Sequence, residues 1–206
     1  MATTDTEHLL ERAAGGDGTA RDQLLERHRR RLRRMVAVRF DPRLAARADP
    51  SDVVQETLAE AAAGLDRYLR ERPLPFYAWL RQLAQRRLID LHRRHVQARR
   101  RSVTREEAAG LPDRSALALA ERLFGRHSSP SAGLRRQERR ERVRAALAAL
   151  PEPDREVLVL RILEGLPTRE TAAVLGISEV AVRSRQVRAL DRLKALLGPD
   201  FLEGER

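Results

Sequence analysis

Cysteine is absent from all 206 residues, which excludes disulfides, thiolate catalysis and thiolate zinc sites. The five histidines have no partners at metal-ligand spacing, so neither a metal, another cofactor nor a catalytic constellation is expected. No apolar run reaches the roughly 20 residues that cross a bilayer, and no signal-peptide pattern follows Met1. The expectation is a soluble, cytoplasmic protein with no membrane role. Internal repeats are lacking, and so is β-alternation of useful length, which leaves an all-α fold.

What the chain does have is positive charge: 41 basic residues against 30 acidic ones give a formal +11. Such an excess points to a polyanion, nucleic acid first. With 42% hydrophobic residues, the length suffices for one ordinary core or two small ones.

Thr168 to Leu197 has the spacing of a helix-turn-helix. Thr168 after Pro167 is placed to cap a first helix, small Ala172 permits close crossing, Gly176 supplies the turn, Ile177 packs inward and Ser178 caps a second helix. At about 100° per residue, Ala189, Leu190, Leu193, Leu196 and Leu197 share one face. Arg183, Ser184, Val187 and Arg188 share the other. Arginine suits guanine acceptors and valine a thymine methyl, so this face fits the major groove, although a solvated arginine face has the same composition. Thr171 and Gln186 stand where such motifs usually have apolar groups.

Ahead of this motif, Asp5–Ala14 reads as a short helix closed by the Gly15-Gly16-Asp17-Gly18 break. A second follows, with Thr19 as its cap and Leu24, Leu25, His28, Leu32, Met35 and Val36 on one face; His28 reads as a packed core residue. Asp49-Pro50-Ser51-Asp52 starts a third helix. Val54, Leu58, Ala61, Ala62 and Leu65 form its buried stripe, leaving Asp52, Gln55, Glu56 and Ala59 outward. This acidic and amide patch is either compensation of the helix dipole or a partner surface. Prolines 73 and 75 predict a loop over Asp66–Pro75. A fourth helix resumes at Phe76, with Phe76, Leu80, Leu83, Ala84 and Leu91 inward, Trp79 at the border and Gln82, Arg86, Ile89 and Arg93 outward. Four of the seven aromatics, Tyr68, Phe76, Tyr77 and Trp79, fall here. Beside arginines they can stack unpaired bases, or they form the core.

Glycines, prolines and serines then accumulate, so the expected organisation is two small helical domains joined by a flexible linker: 1–98, a linker at 99–136, a helix-turn-helix domain at 137–197 and a tail at 198–206. Ser115–Phe124 is long enough for an isolated helical turn or two within that linker. Gln137–Leu150 and Asp154–Leu163 supply two helices before the motif.

Asp52-Val53-Val54-Gln55-Glu56-Thr57-Leu58, Trp79-Leu80 with Leu88-Ile89-Asp90, Leu150-Pro151 through Arg155-Glu156-Val157-Leu158, and Leu175-Gly176-Ile177-Ser178 with Val182-Arg183-Ser184-Arg185 together resemble bacterial RNA polymerase sigma factors, in particular the two-domain extracytoplasmic-function group. The resemblance covers most of residues 9–97 and 138–197. It implies that Asp52, Gln55 and Glu56 bind the polymerase core. It also implies that Trp79, Gln82 and Arg86 serve minus-ten melting and base capture, and that Arg183, Ser184, Val187 and Arg188 read the minus-thirty-five element. Implied partners are core enzyme, at its clamp helices and flap region, and promoter DNA, with room for an anti-sigma factor. Arg87 and Gln186 depart from the family, which usually has apolar residues there, and Val187 replaces a commonly larger side chain. Two other readings compete: a stand-alone helix-turn-helix regulator, which lacks an obvious dimer face, and a nuclease holding a metal on Asp52 and Glu56, which lacks further clustered carboxylates.

Overall fold

The computed structural model describes residues 2–45, 48–97, 111–124, 133–198 and 201. Among them every regular element is helical, in agreement with the all-α expectation. The chain divides into two compact units, Met1–Arg105 and Glu106–Arg206.

The first unit holds α1 (Ala2–Ala14), α2 (Gly18–Arg39), α3 (Pro50–Glu71) and α4 (Phe76–Gln97). Helix α2 packs on the other three, and α3 also packs on α4. Leu24, His28, Leu32, Met35 and Val36 of α2 are buried at helical spacing, as read from the pattern. The cap of α2 is Asp17 rather than Thr19. Its carboxylate accepts from the Ala20 N–H at 3.0 Å and from Arg12 at 2.6 Å. A short anionic side chain answers an otherwise unpaired N–H at the positive end of the helix. The Ala20 N–H first and Arg12 second hold the Asp17 carboxyl below its ordinary range. Asp49 caps α3 as expected, accepting from the Ser51 N–H at 2.6 Å with Pro50 in the first helical position.

Helix α3 runs further than the pattern suggested. The loop expected over Asp66–Pro75 shrinks to the residues after Glu71, because Tyr68 continues the buried stripe one turn beyond Leu65. Pro73 is what stops the helix, since the residue before a proline is kept out of the right-handed α region. Arg72 turns to φ 40°, ψ 53° and its N–H closes on Tyr68 O at 2.8 Å. The Tyr68 hydroxyl donates to Leu74 O at 2.9 Å, pinning the loop to the helix it leaves. Burial pushes that phenol up to about 12, so it stays a donor. Ala62, expected inward, is exposed at the edge of the stripe, and Leu91 is half-buried.

The second unit holds α5 (Asp113–Phe124), α6 (Gly133–Ala149), α7 (Glu152–Leu158) running into a π-helical turn at Val159–Leu163, α8 (Thr168–Leu175) and α9 (Glu179–Leu197). The linker expectation for 99–136 is therefore corrected within the described residues. Helix α5 is no isolated turn; it packs on α6 and on the π-helical turn. Ser115, Ala116 and Leu119 bury one face, and Arg122 donates to the carbonyls of Ile162 and Leu163. Pro112 precedes the helix where its missing N–H costs nothing, and its carbonyl accepts from Ser115 and Ala116 at 2.8 and 2.9 Å. The rest of the expected linker, 99–110 and 125–132, lies outside the described residues. In the tail, Phe201 is buried, with the Arg142 guanidinium 5.8 Å from its ring centroid.

Candidate nucleic-acid interface

The helix-turn-helix forms with one local change. Pro167, not Thr168, stands in the cap position of α8, and no side chain caps it. Thr171 is fully buried, and its hydroxyl donates to Pro167 O at 3.0 Å. That bond is how a polar residue occupies an apolar position without an unsatisfied group. Gly176 takes the left-handed turn at φ 65°, ψ 32°, which only glycine adopts without strain. Leu175 and Ile177 pack on Val157, Ala172 and Val182. The Ser178 hydroxyl accepts from the Ala181 N–H at 3.1 Å, opening α9 as expected.

Helix α9 buries Val182, Ala189, Leu193 and Leu197. Leu190 is half-buried, and Leu196 is 50% exposed in the last turn rather than inward. Gln186 accepts from Arg161 Nε at 3.2 Å, and Arg161 also donates to Leu166 O, so the second polar departure locks α9 to the chain before α8. Buried Asp154 accepts from Arg192 and ties α7 to α9. With one face so held, Arg183, Ser184, Val187 and Arg188 are all exposed on the other. Val187 is 58% exposed and Val180, on the same stripe, 63%. Val180 escaped the sequence reading; its place two residues after the capping serine was the available signal. Arg183 approaches Glu179 at 3.7 Å, and Arg188 Nε approaches Ser184 O of its own helix at 3.4 Å. Exposed valines between arginines form a strip matched to thymine methyls and guanine acceptors.

In the first unit Asp52, Gln55 and Glu56 are exposed along α3. Arg87 of α4 reaches across: Nη1 donates to Glu56 Oε2 at 2.7 Å and Nε to Glu60 Oε2 at 2.9 Å. The departure at Arg87 is thus an ion bridge between helices, and Glu60 belongs to the acidic row although the sequence reading passed over it.

Gln82 and Arg86 are exposed on α4, and Ile89 beside them is 44% exposed. Trp79 is half-buried. Its ring stacks on Tyr68 at 4.6 Å and meets Phe76 at 5.7 Å, over Gly64, where a methyl would lie 3.6 Å from the indole. Phe76 and Tyr77 are buried around His28 at 5.3 and 5.8 Å, so the aromatic cluster is core first. His28 is 4% exposed with both ring nitrogens unpartnered. Burial, then Arg31 and Arg27, lower it to about 4, which keeps it neutral.

The Sigma-70 region 2 family model matches residues 24–99, and the model for Sigma-70, region 4 matches 140–193. The chain belongs to the ECF RNA polymerase sigma factors. It is 34% identical to the factor SigD of Mycobacterium tuberculosis over 187 residues, covering 90% of this chain and 81% of that one. It is 33% identical to the RNA polymerase sigma factor CnrH of Cupriavidus metallidurans over 202 residues, covering 97% and 98%. The solved structure of CnrH in complex with the cytosolic domain of CnrY superimposes with a TM-score of 0.53 at 28% identity, covering 98% of this chain and 99% of that one. A match through both units disfavours a stand-alone helix-turn-helix regulator. As a sigma factor the chain is a DNA-recognition subunit that binds polymerase core and directs initiation at promoters. No helix among the described residues is long and apolar enough to cross a membrane.

Proposed function

We propose how this sigma factor divides the work among its surfaces. Asp52, Gln55 and Glu56 on α3 contact polymerase core at the clamp helices. Gln82 and Arg86 on α4 contact the melted minus-ten strand. Trp79, fixed by its stack on Tyr68, serves as the wall against which an unpaired base rests. Arg183, Ser184, Val187 and Arg188 read the minus-thirty-five element. The chain carries no catalysis of its own and works in the cytoplasm, where promoter DNA is. The observation that carries this reading is the α9 strip: the helix is capped, packed and hydrogen-bonded on one side, and two valines stand in water between arginines on the other. The CnrH–CnrY complex supports an anti-sigma factor as a further partner.

The test is run-off transcription with core enzyme on a randomised promoter library. Wild type should select both elements. Charge reversal of Asp52 and Glu56 should abolish core binding in a protein still folded by circular dichroism. Arg183→Ala and Val187→Ala should change the selected minus-thirty-five sequence while leaving the minus-ten profile in place. Unchanged selection in both variants would remove α9 as the reader.

A further inference from the structure

The Arg87 bridge does more than join two helices. Asp52, Glu56 and Glu60 stand one turn apart on α3. Asp52 is exposed without an ion pair among the described residues, whereas Glu56 and Glu60 each give one oxygen to the same guanidinium, at 2.7 and 2.9 Å. Arg86 approaches the other Glu60 oxygen at 3.9 Å. The Arg87 side chain is 35% exposed and that of Glu56 is 61% exposed, so the arginine lies in the seam between α3 and α4 while the carboxylate it holds still faces solvent. A carboxylate has about four lone-pair sites, and Glu56 gives one of them to Arg87. The Oε1 oxygen remains for an incoming cation.

We propose that Arg87 is a positioning residue for the polymerase-binding face, and that this face extends to Glu60. The inference rests on the assignment of Asp52, Gln55 and Glu56 to core binding. Two like charges at i and i+4 repel and scatter their rotamers. The planar arginine fork relieves that repulsion and fixes both carboxylates before the partner arrives, so less side-chain freedom is lost on docking. Lysine presents one ammonium on a flexible stem and cannot hold both carboxylates in this geometry. Displacement of Arg87 by the partner is not required, because Glu56 is open on its outer side.

The experiment measures the affinity of the full chain for polymerase core by competition for Arg87→Leu, Arg87→Lys, Glu56→Gln, Glu60→Gln and the double variant Arg87→Leu with Glu56→Gln, with thermal unfolding of each as the folding control. Arg87→Leu should weaken binding about two- to five-fold, the range of a partly exposed ion pair. Arg87→Lys should recover only part of it, Glu60→Gln should weaken binding measurably, and the double variant should lose less than the sum of the two single losses, because only the share acting through Glu60 remains. Tighter or unchanged binding in a folded Arg87→Leu would overturn the proposal, as would additive losses in the double variant or full recovery by lysine. An unimpaired Glu60→Gln would confine the face to the three residues before it and overturn the extension. If Glu56→Gln itself binds normally, the assignment of the face fails, a result distinct from failure of Arg87 alone. Should Arg87→Leu not fold, Arg87→Lys against Glu56→Gln carries the same cycle.

Discussion

All but one of the 41 basic residues are arginine, Lys194 being the exception, and the two units use the guanidinium differently. In the first it faces carboxylates: Arg12 with Asp17, Arg27 with Asp5, Arg67 with Glu71, Arg72 with Glu7, and Arg87 with Glu56 and Glu60. In the second, although Arg192 meets Asp154 and Arg183 meets Glu179, it also answers backbone carbonyls at helix ends. Arg142 donates to Leu197 O at 2.7 Å at the end of α9, Arg155 to Leu147 O and Ala148 O at 3.3 Å at the end of α6, Arg122 to the π-helical turn and Arg161 to Leu166 O. Two of these sites close α6 and α9, of 17 and 19 residues, and one closes the π-helical turn after the seven-residue α7. Every helix end leaves up to four carbonyls unpaired, and arginine answers some of them here. Ion pairs at a surface contribute about 0.2–1 kcal/mol and are screened by salt, while a part-buried carbonyl left without its donor costs about 1–3 kcal/mol. Salt should therefore soften the first unit more than the second.

Acid should separate them further, and this is the largest effect expected. His28 lies in the first unit's core at about 4 against an ordinary 6.5, whereas the second unit has no histidine among its described residues. The unfolded chain takes up a proton near pH 6.5 that the folded chain refuses until about pH 4. Stability from the neutral ring is thus fully present above about 6.5 and declines as pH falls towards 4, by on the order of 3 kcal/mol. Asp17 and Asp49 are held below their usual range, so their own stabilising contribution is lost only at lower pH. Thermal unfolding between pH 7 and 4.5 should show the transition of the first unit moving down while that of the second stays. His28→Phe should flatten the slope, and a slope that persists would place the proton elsewhere.

The second prediction sharpens the contrast on the functional side. Among the described residues Arg188 reaches only the Ser184 carbonyl of its own helix, so its loss should cost recognition and not stability. Arg188→Ala should weaken holoenzyme binding to the minus-thirty-five element by about 1–3 kcal/mol and relax preference at one or two base pairs if the contact is bidentate to a base. A contact to phosphate instead lowers affinity evenly and reduces the salt slope by about one. Binding to a randomised library at two salt concentrations distinguishes these, and no change in either would make Arg188 a solvated side chain.

Third, Arg155→Ala should destabilise the second unit by about 1–2 kcal/mol, since Leu147 and Ala148 carbonyls lose a shared donor. The loss should be nearly the same at low and high salt, because the acceptor is uncharged. Thermal melts at both ionic strengths check this, and a loss that vanished in salt would return Arg155 to the behaviour of the first unit.

Helix identity, the Asp49 and Ser178 caps, the Gly176 turn and the outward sets on α3, α4 and α9 were legible because each follows from local spacing. What stayed hidden depends on partners distant in sequence. Tyr68 extends α3 because Leu74 and Trp79 come back to it. Helix α5 forms because α6 and the π-helical turn receive it, which a stretch dense in glycine and proline did not announce. Arg81, a charged residue outside every set drawn from the pattern, is 3% exposed, with Gln85 Oε1 accepting from it at 3.0 Å. Thr171, Gln186 and Arg87 looked like departures from a pattern; Pro167, Arg161 and the Glu56–Glu60 pair give each a partner. Glu60 and Val180 were within reach of the helical wheel, one turn beyond Glu56 and at the head of the α9 strip.

The smallest effect tests the other side of the contrast. Arg67 and Glu71 form an i, i+4 pair at 2.9 Å, but their side chains are 76% and 52% exposed, so both ends remain largely hydrated. The basic residue precedes the acidic one, the weaker of the two orders along a helix, which limits the pair to about 0.2–0.3 kcal/mol. Alanine is the better helix former by a few tenths of a kcal/mol at an exposed position. Those two quantities nearly cancel, so Arg67→Ala should change stability by less than about 0.3 kcal/mol in dilute buffer. In about 1 M salt, where the screening length falls to about 3 Å, the ion pair fades and the propensity remains, so the variant should become equal to or slightly more stable than wild type. Chemical denaturation by urea, which leaves ionic strength free to be set, measures both. A loss of 1 kcal/mol or more would show that exposed carboxylate pairs in the first unit hold it as firmly as the carbonyl caps hold the second, and the distinction between the two units would fail.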